Sequence, residues 1–92
     1  MDMRSQTIAK LVRLMKRSDG WTSLFSPETG VAEAYERFNR TLAQQPRHER
    51  RRARDGLLLE LAGRFVDAGA ANGLTYRAML DDLNKIEEGL NG

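Results

Sequence analysis

Residues 57–66, LLLELAGRFV, are the most strongly patterned stretch of the chain and decide its fold. Their apolar side chains recur with the period of a helix, and the main stripe comprises Leu58, Leu61, Ala62 and Phe65. Pro46 precedes the stretch, and the Asn72 and Gly73 pair that follows it is a common helix stop, because both residue types tolerate the left-handed conformation. The pattern predicts a helix from about residue 46 to about residue 70.

Three further segments repeat their apolar residues at intervals of three and four, at about residues 3–18, 31–45 and 75–90. Their stripes comprise Ile8, Leu11, Val12 and Met15; Val31, Tyr35, Phe38 and Leu42; and Met79, Leu83, Ile86 and Leu90. The connections between the segments are short, and no strand pattern is visible. The sequence therefore predicts one all-α domain spanning residues 1–92, folded as a compact antiparallel bundle of about four helices.

The composition argues against an enzyme. The chain has 92 residues, no cysteine and a single histidine, His48, which lies among arginines. Thiolate metal sites and disulfides are therefore excluded, and no serine has a His and Asp set that would activate it. Adjacent carboxylates on a helix point in different directions and do not form an acid–base pair. The sequence predicts a protein without catalytic residues, metal or other cofactor.

The same composition predicts the compartment. No uninterrupted apolar run is longer than Leu57, Leu58 and Leu59, far shorter than a membrane span, and the first residues lack the apolar region of a signal peptide. Absence of cysteine suits a reducing compartment. We therefore expect a cytoplasmic protein that has no membrane partner.

Five arginines fall within residues 47–54, RHERRRAR, directly before the leucine-rich stretch. We name these five residues the arginine cluster. On a helix, four of them share one stripe at i, i+3, i+4 and i+7: Arg47, Arg50, Arg51 and Arg54. The N-terminal end of a helix dipole disfavours cations, so helix stability does not explain them. The stripe is predicted to bind the phosphates of a nucleic acid or the carboxylates of an acidic protein, or to pair with the acidic half of its own chain.

Charge is divided unevenly along the chain. Residues 1–54 carry 12 Lys and Arg against 6 Asp and Glu, whereas residues 55–92 carry 3 against 7. The acidic half holds a candidate contact face at Asp81, Asp82, Glu87 and Glu88. This polarity suits a partner with an acidic surface, and it suits two copies that meet head to tail, so a homodimer is also a candidate state.

Three aromatic residues are candidate interface anchors, because exposed aromatic side chains often dominate binding. Trp21 and Phe25 lie in the apolar connector before the second helix, where the competing interpretation is that they cap the end of the bundle. Tyr76 opens the fourth helix.

These patterns lead to three functional hypotheses. The first is a small helical binding protein that regulates or inhibits a larger machine, one that handles nucleic acid, by occupying a site on it. The second is an accessory protein that binds nucleic acid directly through the arginine stripe, and the third is a structural subunit that assembles with itself. In its small size, its arginine bias and its almost entirely helical pattern, the chain resembles small proteins encoded by phages or mobile elements.

Overall fold

A computed structural model describes residues 2–17 and 31–91 of the chain. Within these ranges the chain forms four α-helices and one 3₁₀ turn, Arg47–Glu49, and it contains no strand. The helices are α1 (Met3–Arg17), α2 (Val31–Ala43), α3 (Arg50–Ala71) and α4 (Tyr76–Asn91). The predicted all-α bundle is confirmed. In the described part of the chain, no helix combines the length and the apolar character needed to cross a membrane.

The helix α3 is the centre of the bundle. Helix α1 runs antiparallel to it, because Arg4 pairs with Asp67 at 2.9 Å near one end and Lys16 pairs with Asp55 at 3.0 Å near the other. Helix α2 precedes the short turn that leads into α3 and packs against α3, whereas α4 packs mainly against α1. The N-terminal turns of α3 therefore lie at the same end of the bundle as the C-terminal turns of α1 and α2.

The hydrophobic core lies mainly between α1 and α3. Its buried side chains are Leu11, Leu14 and Met15 from α1, Leu58, Leu61, Ala62, Phe65 and Val66 from α3, Phe38 from α2 and Leu83 from α4. Leu14 is completely buried although it lies outside the predicted stripe, and Ile8 and Val12 of that stripe are only partly buried. The reason is that α1 packs against both α3 and α4. Its most buried side therefore differs from the predicted stripe.

Local hydrogen bonds fix the ends of the helices. The Asp2 carboxylate accepts a hydrogen bond from the Ser5 N–H at 2.7 Å, which lowers the pKa of Asp2 and caps α1, and the Thr75 hydroxyl accepts one from the Ala78 N–H at 3.1 Å. After α3, Gly73 adopts a φ of +90°, and the Leu74 N–H donates back to the Gly69 carbonyl at 3.0 Å. This arrangement is a Schellman motif, which satisfies the last carbonyls of α3 and turns the chain toward α4.

Candidate interaction surface

All five arginines of the cluster are exposed at the N-terminal end of α3, and four of them form neither an ion pair nor a side-chain hydrogen bond with a described residue. We call these four the open arginines: Arg47, Arg51, Arg52 and Arg54. The first lies in the 3₁₀ turn, and the other three lie in the first two turns of α3. They present guanidinium groups that remain available for carboxylates or phosphates.

Arg50, the fifth member of the cluster, is engaged within the fold. Its Nε donates to the Gln45 carbonyl at 3.2 Å, and its second guanidinium nitrogen donates to the Ala43 carbonyl at 3.4 Å. These carbonyls lie at and just beyond the C-terminal end of α2, where a positive charge stabilises the helix dipole. Arg50 therefore fastens the turn between α2 and α3, and its predicted contact with a partner stays a prediction.

Two of the open arginines continue the core-facing side of α3 beyond its contact with α1. Arg51 and Arg54 lie seven and four residues before the buried Leu58, so they continue the same face of α3. Helix α1 ends at Arg17, and its last turn reaches only the level of Asp55. Beyond that level, the core-facing side of α3 carries arginine in place of leucine, and these arginines are exposed.

The acidic half of the chain pairs with α1 and not with the open arginines. Glu87 lies 2.8 Å from the Lys10 ammonium, 3.4 Å from Arg17 and 3.8 Å from Arg13, and it is largely shielded from solvent. Asp55 and Asp67 also pair with α1. Among the described residues, the predicted pairing of the arginine stripe with the acidic half is therefore absent.

The four residues of the predicted acidic face have different environments. Glu87 is held by the cations of α1, so it contributes to the fold. Asp81, Asp82 and Glu88 are exposed, and none of them forms an ion pair with a described residue. These three carboxylates form the part of the predicted face that stays open to a partner.

The ion pairs of Glu87 predict a loss of stability in acid. The hydrogen bond from Lys10 is the largest cause that lowers the pKa of Glu87 below its usual 4.5, and Arg13 and Arg17 add to it. Because the pKa of Glu87 is lower in the folded state, the carboxylate stabilises the fold fully when the pH is above its pKa in the unfolded chain. This stabilisation is lost as the pH falls through its pKa in the folded state.

Glu87→Gln is therefore expected to lower the melting temperature at pH 7 and to make it less sensitive to pH below about 5. Glu88→Gln, on the exposed neighbour, is the control and should leave both properties near those of the wild type. Thermal unfolding followed by circular dichroism between neutral and acidic pH measures the effect. Equal melting temperatures of the Glu87→Gln and Glu88→Gln variants at pH 7 would contradict it.

A shallow groove of about 220 Å³ lies between α2 and α3, beside the arginine cluster. Its lining residues are Ala34, Arg37, Phe38, Thr41, Leu57, Glu60, Leu61 and Arg64. The volume is below the roughly 300 to 1,000 Å³ of typical small-molecule sites, so the groove suits one apolar side chain of a partner. On α3, Leu57 and Leu61 follow Arg54 at i+3 and i+7, which makes the groove continuous with the open arginines.

Sequence reasoning missed Arg37 and Arg64, which stand at the edge of this groove. Arg64 lies ten residues after Arg54, close to three helical turns, so the row formed by Arg54, Leu57, Leu61 and Arg64 was a readable signal. Arg37 has no such signal, because its position depends on how α2 packs against α3.

The remaining candidate site residues are the three aromatic residues Trp21, Phe25 and Tyr76. Trp21 and Phe25 lie outside the described residues. Tyr76 is half-buried and packs against the core, and its carbonyl oxygen lies 3.4 Å from the hydroxyl of the fully buried Thr7. Within residues 2–17 and 31–91, no three side chains of His, Asp or Glu come together as a metal site requires.

Comparisons of the chain with protein-family models, with curated proteins and with solved structures find no match.

Proposed function

We propose that this chain is a non-enzymatic helical binding protein that regulates or inhibits a larger protein machine by occupying an acidic site on it. The observation that carries the proposal is the group of four exposed arginines on the first turns of α3 and the turn before it, which form no ion pair with the described residues. Arginines paired with carboxylates give strong, geometrically specific contacts. Stability of α3 alone would disfavour cations at this end of the helix.

The groove between α2 and α3 favours a protein partner over a bare nucleic acid. Its floor is formed by apolar side chains, including Phe38, Leu57 and Leu61, and guanidinium groups lie at its edge and along the adjoining turn. An acidic protein surface offers both carboxylates and an apolar anchor, whereas a phosphate backbone offers charge alone.

The exposed carboxylates of α4 support a partner that handles nucleic acid. Such a protein has a basic groove that receives phosphates. Asp81, Asp82 and Glu88 present negative charge that is complementary to such a groove. The open arginines would then contact acidic residues that flank the groove. One small domain would thus present both signs of charge to one target and block access to it.

The proposal is tested with two charge-matched triple variants. Arg47/Arg51/Arg54→Ala removes three open arginines, whereas Arg40/Arg77/Lys85→Ala removes three exposed cations from α2 and α4. Both variants keep Arg50, which fastens the turn between α2 and α3. We expect the first variant to fold normally and to lose about a hundredfold or more in affinity for a protein captured from the source cells, since each charge-assisted contact contributes about 1.5 to 3 kcal/mol. The control variant should keep its affinity.

Direct binding of nucleic acid is the competing outcome. Fluorescence anisotropy with labelled random duplex DNA and single-stranded RNA, from about 50 to about 200 mM salt, distinguishes the two. Micromolar binding with a log–log salt slope near −4, abolished in the first variant, would replace the proposal with an accessory protein that binds phosphates through the open arginines. If the first variant retains both protein capture and nucleic-acid binding at the wild-type level, the open arginines have no binding role.

A further inference from the structure

A second surface of the molecule, on the flank of α3 next to α1, is independent of the arginine cluster. Leu59 lies there with 56 % of its surface exposed, the largest exposure of any large apolar residue that the structure describes. It borders a shallow depression of about 520 Å³ between α1 and α3, whose apolar lining also includes Ile8, Ala9 and Gly63. An exposed leucine beside other apolar residues in a depression is typical of an interaction site.

The charges on this surface are self-complementary. Glu60 and Arg64 lie one helical turn apart on α3 and form an exposed pair at 3.1 Å, and Arg4 pairs with Asp67 at the far end of the depression. The surface therefore carries no net charge, and an acidic or a basic partner gains nothing from it. A second α3 lying antiparallel, with a two-fold axis at the level of residue 62, would place each Glu60 opposite the Arg64 of the other copy.

We propose that this surface is the interface of a two-fold homodimer, in which the α3 helices of two copies pack antiparallel. In the register set by the charges, Leu59 of one copy and Gly63 of the other are offset by two residues. Because the rise is about 1.5 Å per residue, the two positions differ by about 3 Å along the helix axis. A Cβ built on Gly63 meets no atom within 4 Å apart from the adjoining backbone of its own helix, so the space beside Gly63 is open to the incoming leucine. Each contact occurs twice because the interface is isologous.

The first experiment is sedimentation equilibrium of the whole chain from micromolar to about millimolar concentration, because dimerisation depends on protomer concentration. We expect a concentration-dependent rise toward twice the 10.4 kDa chain mass. Leu59→Glu should weaken the dimer at least tenfold. Leu90→Glu, a change at a half-exposed leucine of α4, is the control and should leave the dissociation constant within a few-fold of the wild type. Circular dichroism establishes that both variants are folded.

Charge reversal then tests the register. Glu60→Arg and Arg64→Glu each place like charges opposite one another twice, and each should raise the dissociation constant at least tenfold. The double variant Glu60→Arg/Arg64→Glu restores opposite charges across the axis and should return the constant to within a few-fold of the wild type. A role confined to the pair within one helix would change the melting temperature without changing the mass.

Three results would overturn the proposal. The first is a chain that stays monomeric up to millimolar concentration, and the second is a dimer that Leu59→Glu leaves intact. The third is a double charge reversal that fails to restore the dimer that the single reversals weaken. The open arginines do not line this surface, so these results leave their role untested, whereas Glu60 and Arg64 line both this surface and the groove between α2 and α3.

Discussion

Replacing Leu14 by alanine should lower the free energy of unfolding by about 2 to 5 kcal/mol, the range observed when a buried leucine is truncated. Leu14 has no exposed surface, and it belongs to the helix that packs against both α3 and α4. The truncation therefore leaves a cavity among packed helices, which adds to the loss of buried apolar surface. The loss is a large part of the roughly 5 to 15 kcal/mol that holds a domain of this kind together.

Ile8→Ala is the matched comparison for Leu14→Ala. Ile8 belongs to the stripe that the sequence predicts and Leu14 does not, yet Ile8 is only partly buried. Denaturant unfolding followed by circular dichroism should therefore give the larger loss for Leu14. An equal or smaller loss for Leu14→Ala than for Ile8→Ala would mean that α1 is rotated about its axis relative to the structure.

Replacing Phe38 by alanine should release α2 from the bundle, because Phe38 is the one side chain of α2 that is buried among the described residues. Truncating a buried phenylalanine costs about 3 to 5 kcal/mol. The ring also stacks on Tyr35, with ring centres 6.3 Å apart, so its removal loosens a second contact. We expect amide hydrogen exchange to accelerate throughout α2, whereas exchange in the shared core of α1 and α3 changes much less.

The control for this experiment is Phe38→Leu, which keeps most of the apolar volume and should cost less than Phe38→Ala. In this variant the amides of α2 should stay protected. If the α2 amides of Phe38→Ala exchange as slowly as those of the wild type, the docking of α2 must depend on the half-buried residues around Phe38. Unfolding of all helices together would show that α2 is an obligate part of one cooperative unit.

Most of the secondary structure could be predicted from the sequence, because helix periodicity, caps and stops are local properties. The predicted helix at about residues 3–18 is observed at Met3–Arg17, and Asp2 and Thr75, residue types typical of helix caps, both accept capping hydrogen bonds. The burial of Leu14 could not be predicted in the same way. It depends on the direction from which α4 approaches α1, and a single helix carries no information about that direction.

The candidate site was predictable in composition but not in its contacts. The sequence identifies a stripe of arginines, and the structure leaves Arg47, Arg51 and Arg54 exposed. The sequence alone could not predict that Arg50 donates hydrogen bonds to carbonyls at the end of α2, since that contact depends on the turn at Pro46. Nor could it foresee that Glu87 pairs with α1, because this pairing follows from the packing of α4.

The unbroken course of α3 has a consequence for the thermodynamics of recognition. One helix runs from Arg50 to Ala71, through Gly56, so the exposed turns that carry three of the open arginines are continuous with turns anchored in the core. The backbone is already ordered when a partner arrives, and association then costs mainly the entropy of the arginine side chains, about 0.5 to 1.5 kcal/mol each. A peptide of residues 47–54 alone would also have to order its backbone, at about 1 to 2 kcal/mol per residue. We therefore expect the same arginines to bind far more weakly once they are removed from the helix that holds them.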